Sequence, residues 1–390
     1  MWFVFKTFFI LGCISFGGPA AHIAYFRETF VQRLSWLSER QYAEFVALSQ
    51  FLPGPGSSQV GFAIGYHRAG LKGAISAFLG FTLPSILIML VLVISAGQLA
   101  DNTLFASVVH TLKLLAVVVV FDAVLIMYRN FCKETSSIFV CLFTACILLV
   151  FPSILSQIVV LVFAAVIGLL FLKATKLESP KKKRHCLIKS SFTCINYIPL
   201  LLFLALLLIP NLLFSLSPFF SVFSDFFHAG SLVFGGGHVV LPILQGMLTE
   251  QVTSDQFLSG YAIAQAVPGP MFTLATYLGY FILPNTPIAG ALIATIAIFL
   301  PGFLLLLSCL KHWGRLAKNP CLAAVMNGVN AAVVGLLVTA LYQPVFTSSV
   351  FSGLDMALVL IGFYLLKRQK LPVLYLVLTF AVFGVILNFI

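Results

Sequence analysis

The sequence predicts an all-α, polytopic transmembrane bundle of about thirteen spans, built from two inverted repeats with broken helices. Three observations lead there. The 390 residues are 61% hydrophobic and 8% charged, too few polar groups to coat a water-soluble globule of this size, so lipid is the expected solvent. Apolar runs of bilayer-spanning length recur from end to end, without the alternation of a membrane barrel. The two halves also repeat one another's motifs in the same order.

The net charge of +11 does not point to nucleic acid, because the basic residues sit in short blocks between apolar runs rather than on one amphipathic face. The cysteines (Cys13, Cys132, Cys141, Cys146, Cys186, Cys194, Cys309 and Cys321) lack metal-ligand spacing and read as small buried hydrophobes. The first apolar stretch, from Trp2 to Phe16, carries Lys6 and runs into Gly17-Gly18-Pro19 instead of a small-residue cleavage site, so it reads as a retained span.

The repeat is visible residue by residue. Phe5 to Phe9, Gly12 and Phe16-Gly17-Gly18 match Phe223 to Phe227, Gly230 and Phe234-Gly235-Gly236. Ser38 with Gln41-Tyr42 matches Thr253 with Gln256-Phe257, and Gln50 to Pro55 matches Gln265 to Pro270. Gly73-Ala74 with Leu83-Pro84 matches Gly290-Ala291 with Leu300-Pro301. Spans are expected near 2–16, 41–66, 70–98, 103–128, 135–152 and 154–173, which form the first repeat, 1–173. A basic linker, 174–195, leads to a connecting span, 196–214. The second repeat, 219–390, holds spans near 219–234, 256–283, 287–310, 319–342, 347–366 and 372–389.

Lys181-Lys182-Lys183-Arg184 places the linker in the cytoplasm under the positive-inside rule. Alternation then puts Arg68, Lys72, Arg129, Lys133, Lys311, Arg315, Lys318, Lys367, Arg368 and Lys370 inside, the N-terminus inside and the C-terminus outside. Segment 24–44 is the exception, with Arg27, Arg33 and Arg40 balanced by Glu28, Glu39 and Glu44 on the side assigned to the exterior. Six spans per repeat plus one connecting span turn the second repeat upside down, an architecture of secondary transporters.

The sharpest local feature is Pro53-Gly54-Pro55-Gly56-Ser57-Ser58, mirrored by Pro268-Gly269-Pro270. A continuous helix cannot pass through two prolines flanking a glycine. Irregular backbone at membrane depth requires protein or a water-filled cavity to satisfy it. A half-helix starting at Pro55 would aim the amides of Gly56, Ser57 and Ser58, with two hydroxyls, at an anion; the start at Pro270 offers Met271, Phe272 and Thr273, with one hydroxyl. The alternative is a pair of tightly packing kinks. Gln50 and Gln265 flank these breaks.

The second constellation is Gly17-Gly18-Pro19 with His22, mirrored by Gly235-Gly236-Gly237-His238. A histidine near each break could donate to an oxyanion, carry a proton, or simply bond a carbonyl at the membrane boundary. Among ionisable residues in apolar spans, Glu44 and Asp122 are the candidates for proton coupling, and an interhelical ion pair is the competing reading for Lys113 and Asp122. Asp225 and His228 lie one turn apart without counterparts in the first half. Tyr25 to Trp36 reads as an interfacial helix. There is no P-loop, His-Glu-x-x-His or nucleophile elbow, so the chain is read as a non-enzyme that takes neither cofactor nor metal and draws on ion gradients or exchange.

Phe16 to Ile23, Val31 to Leu37, Gln50 to Pro55 and Gly73 to Pro84, with their second-half counterparts, resemble the chromate ion transporter family in its long-chain, two-domain form, over nearly the whole chain. Gly237 stands where the first repeat has Pro19. The resemblance implies a prokaryotic inner-membrane carrier that exports chromate, a sulfate-like oxyanion, coupled to protons. The expected partners are a small inorganic oxyanion and membrane lipid, with a homodimer left open. An anion channel and a membrane scaffold protein are the alternatives.

Overall fold

The computed structural model describes residues 1–98, 103–171, 196–212, 217–234, 237–313 and 320–389. The linker 174–195, Gly235, Gly236, Arg315 and Lys318 lie outside them. The described residues form helices and no strand: α1 (Trp2–Ile14), α2 (Gly18–Arg27), α3 (Glu39–Phe51), α4 (Gly56–Gln98), α5 (Thr103–Phe131), α6 (Thr135–Val150), α7 (Ile154–Phe171), α8 (Tyr197–Leu212), α9 (Pro218–Leu232), α10 (Val240–Leu248), α11 (Ser254–Ala266), α12 (Leu274–Ile282), α13 (Pro287–Cys309), α14 (Pro320–Ala340), α15 (Gly353–Lys367) and α16 (Val373–Leu387). Four stretches, within α4, α5 and α13 and from Pro320 to Phe346, are long and apolar enough to cross a membrane. Large apolar side chains such as Val162, Leu360 and Leu378 stand exposed, as a lipid-facing surface requires. The all-α polytopic bundle is therefore present.

Its broken helices do not continue through the membrane after the break. The stretch 41–66, which the sequence presents as one interrupted span, folds back on itself. Residues 45 and 67 would be separated by about 33 Å along one helix, yet the rings of Phe45 and His67 lie 6.1 Å apart. The Arg68 guanidinium also sits 5.2 Å from the Trp36 ring. The arms are α3 and residues 56–68 of α4, which ends its first arm where Ala69 and Gly70 leave helical geometry. The same holds for α1 and α2, since Phe8 stacks on Phe30 at 4.7 Å. In the second repeat Gln251, just past α10, donates to Asp225 of α9 at 3.2 Å, and a Cβ added to Gly260 of α11 would strike the Tyr277 ring of α12. Four helical hairpins thus enter the protein. Arms of 13 residues, as in α1, α3 and α11, reach only about 20 Å, short of a hydrocarbon core of about 30 Å.

Two sequence expectations change as a result. Tyr25 to Trp36 is no interfacial helix: Phe26 and Phe30 are fully buried against Phe8 and Phe81, and the segment is the return arm of the first hairpin, extended by a π-helical turn over Glu28–Arg33. The second-repeat counterpart of that arm, α10, is not anticipated from the sequence at all.

The repeats are related by reciprocal packing. A Cβ on Gly335 of α14 would lie 3.1 Å from the Ala145 amide nitrogen of α6, and one on Gly362 of α15 would lie 3.0 Å from Val118 Cγ2 of α5. These pairs exchange under the offset that carries Pro84 onto Pro301. Each repeat's long central helix, α5 or α14, thus packs on the terminal helix pair of the other repeat. Residues 71–98 of α4, about 40 Å of helix, carry the chain from the base of the second hairpin to the opposite face. There Lys113 of α5 ion-pairs with Asp255 at the base of the fourth hairpin, so the second and fourth hairpins enter from opposite faces.

Lys113 and Asp122 are both interhelical ion partners, though not with each other: Asp122 pairs with Lys367, and His110 of α5 pairs with Asp355 at 2.8 Å. Cys132 and Cys141 are buried as expected, whereas Cys13 and Cys146 are exposed. Cys321 is disulfide-bonded, against its reading as a small buried hydrophobe.

Close backbone approach at the repeat interface makes a direct prediction. A Cβ on Gly328 of α14 would stand 2.9 Å from Gly168 Cα of α7. Gly328→Val should destabilise the protein by about 1–3 kcal/mol through overpacking, read as a lowered unfolding temperature in detergent; an unchanged temperature would refute the contact.

Candidate functional site

All four hairpin tips meet in the interior, and the two Pro-Gly-Pro strings hold them together. Gly54 takes φ +117° and Gly269 φ +99°, a region open to glycine and strained for other residues. The reversal frees backbone groups that a helix would have paired, and they are satisfied across the repeats. The Gly54 amide donates to Val233 O at 2.7 Å, on the tip of the third hairpin. The Gly269 amide donates to Ser15 O at 2.8 Å, on the tip of the first. Each string also rests on the proline-kinked helix of the other repeat. Ser85 Oγ, beside Pro84 of α4, donates to Pro268 O at 2.6 Å. Gln59 Nε2 donates to Pro53 O at 2.8 Å and to Gly302 O, beside Pro301 of α13, at 3.1 Å. Gly237 completes the junction, with Pro19 and Met271 as its nearest neighbours.

The two helix starts are unequal in bonding as well as in sequence. At Pro55 the first helical bond is Gln59 N to Pro55 O at 2.9 Å, so the amides of Gly56, Ser57 and Ser58 stand ahead of the ladder. At Pro270 the chain tightens into a 3-10 turn over Met271–Thr273. There the Thr273 amide and hydroxyl both donate to Pro270 O, at 3.0 and 2.8 Å, leaving only the amides of Met271 and Phe272. The Thr273 hydroxyl is therefore committed.

His22 is fully buried and bonded at both ring nitrogens: Nε2 lies 3.2 Å from Ser15 O and Nδ1 3.1 Å from Ser57 Oγ. A carbonyl only accepts, so Nε2 carries the proton and Nδ1 accepts from the Ser57 hydroxyl. His22 thereby braces the first hairpin tip against the start of α4 and occupies the Ser57 proton. Ser58 Oγ is buried with no partner, as are Ser15 Oγ, Gln59 Oε1 and Gln265 Nε2. Buried polar atoms without partners are uncommon, and these lie within a few residues of a tip.

The remaining sequence candidates are more dispersed. His238 Nδ1 lies 2.9 Å from the Tyr261 hydroxyl, and Asp122 is held by Lys367. Gln265 is buried, whereas Gln50 is exposed on α3. Glu44 is also exposed, nearer the hairpin base, and pairs with Arg40 at 3.2 Å. Gly17, Gly18, Pro53, Gly56, Pro268 and Pro270 sit in the tips themselves, while Gly235 and Gly236 lie outside the described residues. Asp225 accepts from Gln251, and His228 bonds Ser224 one turn earlier on α9, away from the junction. Gln59 is the residue the sequence reading misses: nothing in the second repeat mirrors it, since Leu274 stands at the matching place.

A family model described as Chromate transporter matches residues 2–169 and 220–385. An uncharacterised transporter of Methanocaldococcus jannaschii is 28% identical, over 98% of this chain and 93% of its own length. A probable chromate transport protein of Synechococcus elongatus is 29% identical, over 86% of this chain and 82% of its own. A chromate transport protein of Cupriavidus metallidurans is 27% identical, over 85% and 80%. No solved structure matches the chain.

The bracing of the tips can be tested without any substrate. Gln59→Leu removes the side-chain donor to the Pro53 carbonyl, which has no helical ladder of its own, and should cost about 1–3 kcal/mol for that buried group. Gly54→Ala, whose Cβ would lie 2.8 Å from Gly302 Cα at a positive φ, should lower the unfolding temperature further. Two variants as stable as the parent would show that the tips are not held as described.

Proposed function

The chain belongs to the chromate transporter family, and from that premise we propose that it is a secondary carrier for chromate, or a like tetrahedral dianion, bound where the hairpin tips meet. The observation that carries this reading is the Pro55 helix start, with its three amides ahead of the ladder, inside a junction sealed by reciprocal tip-to-tip hydrogen bonds. No lysine or arginine lies in the tip segments 14–22, 50–59, 233–238 or 265–273. The anion is held by aligned amide dipoles and neutral donors, which supply partial positive charge without a fixed cation that would trap the substrate. Ser58 contributes its free hydroxyl, Gln265 its free amide, and His22 works by holding Ser57 and the first tip in register.

The hairpins also bear on sidedness. A hairpin returns to the face it entered from, so Arg27, Arg33 and Arg40 fall on the same face as Arg68 and Lys72. The exception in the charge pattern then disappears. In this reading the N-terminus is cytoplasmic and the C-terminus outside, in a prokaryotic inner membrane. Export is coupled to protons or to exchange, with Glu44, exposed on α3, and Asp122, paired with Lys367, as the carboxylates to carry the coupling.

In inverted vesicles, an imposed pH difference should drive radiolabelled chromate against its gradient, with sulfate, phosphate and molybdate as competitors that rank the substrate. Pro55→Ala together with Pro270→Ala should reduce that flux at least about tenfold, as expected for loss of two helix-start sites. Ser58→Ala should raise KM by about tenfold, the effect of one lost hydrogen bond to a charged group, and by more than Thr273→Ala does. Unchanged flux in the double variant would exclude the junction as the binding site.

A further inference from the structure

The two repeats share motifs but not exposure, and the difference follows the hairpins. On α3 the exposed residues Arg40, Ala43, Glu44, Ala47 and Gln50 form a stripe at helical spacing that runs from the base of the hairpin to its tip, with Glu39 and Gln41 also exposed at the base. At the start of α2 and along it, the exposed positions include Gly17, Ala20 and Ala24. Small and polar side chains are not what faces lipid elsewhere in this protein, where Val, Leu, Ile and Phe dominate the exposed surface. A stripe of that composition suits a water-filled passage leading toward the junction better than a lipid contact. Its counterparts on α11, Leu258, Ser259, Ala262 and Gln265, are all buried, and only Asp255 at the base is exposed. Here α5 packs along α11 and binds Asp255 through Lys113, with a cavity at the base of the contact lined by Lys113, Asp255 and Ser259. The equivalent of that packing in the first repeat would be α14 against α3, and those two helices are not packed.

We propose that these contacts are the two gates of the carrier: α5 closed on α11 and latched by Lys113 and Asp255 shuts one face, while α14 is poised to close on α3 and shut the other. The inference rests on the carrier reading above and assigns its conformational cycle to named residues. The residue that matches Lys113 on α14 is Asn330, and the residue that matches Asp255 on α3 is Arg40. Asn330 Oδ1 is buried without a hydrogen-bond partner, and Arg40 is an exposed donor. The second gate thus has a complementary pair ready to meet, with the donor and acceptor ends exchanged relative to the first. Because one access path is open while its twin is covered, the binding junction faces one side at a time.

The gates can be followed by chemical labelling in lipid nanodiscs, where both faces meet water. In a cysteine-free background, Ala47→Cys should react rapidly with a charged maleimide, and Ala262→Cys should react about tenfold more slowly or not at all. Adding Asp255→Asn should unlatch the closed gate, speeding Ala262→Cys and slowing Ala47→Cys by about tenfold each, the mark of a shifted population. The same change should increase oxidative crosslinking between Arg40→Cys and Asn330→Cys. The charge exchange Lys113→Asp with Asp255→Lys should restore the original pattern, which a merely structural defect would not. If the cysteine-free chain fails to fold, hydrogen exchange on the natural chain serves: Asp255→Asn should speed exchange in residues 254–266 and slow it in 39–51. Equal labelling of Ala47→Cys and Ala262→Cys, or indifference of both to Asp255→Asn, overturns the gates. The labelling needs no chromate: the expected pattern without chromate flux would sink the substrate reading alone, and pH-driven flux with equal labelling would sink the gates alone.

Discussion

A chain that reverses direction inside a membrane exposes backbone groups for which lipid offers no partner, and each such group costs several kcal/mol. Everything else here depends on how that debt is met. The tips of the hairpins are not satisfied by their own repeat alone. Gly54 donates to Val233 and Gly269 to Ser15, so each repeat's Pro-Gly-Pro string is completed by the other repeat's first hairpin. Neither repeat could place its hairpins in lipid alone. The reciprocity also explains why the strings tolerate so little: Gly54 lies backbone to backbone against Gly302, and Gly269 lies against Ser85, leaving no space for a side chain in either place.

The same constraint generates the site proposed above. Once the tips are tied together through their glycine amides, the amides just beyond the second proline have nothing left to bond, because a helix start has no ladder of its own. A bound anion is the natural partner for donors so arranged. The unequal second start follows from chemistry one residue deep: Thr273 turns its hydroxyl and amide back onto Pro270 and shortens the row of free donors. Two copies of one motif therefore present unequal rows of free donors.

Much of this is legible in the sequence, and the boundary of what is legible has a physical cause. Helix lengths, the repeat and the Pro-Gly-Pro breaks are local or periodic signals, and the structure places helices close to the expected ranges, such as Pro287–Cys309 for 287–310. The direction in which the chain leaves Gly54 is not local. Two prolines around a glycine suit a kink as well as a reversal, and only contacts between residues over twenty positions apart, Phe8 with Phe30 or Phe45 with His67, distinguish them. One trace of the reversal does exist in the sequence: Arg27, Arg33 and Arg40 stand on the wrong side for an unreversed chain. Gln59 and the role of His22 leave no such trace, since what matters is which carbonyl or hydroxyl each meets in three dimensions.

Inverted repeats make two gates available; side-chain differences set which is preferred. The closed gate joins a lysine whose side chain is nine-tenths buried to an aspartate whose side chain is largely exposed. Such a pair gains Coulomb energy at modest desolvation because one partner keeps its water. At the other gate the matching residues are Asn330 and Arg40, a neutral acceptor and a cation, and Arg40 must give up its bond to Glu44 to reach the asparagine. Closing there exchanges one charged contact for a weaker one. The resting population should then favour the conformation described here, and bound substrate has to tip the balance. That requirement fits a carrier in which transport waits on occupancy, because a ligand moves such an equilibrium only by its difference in affinity for the two states.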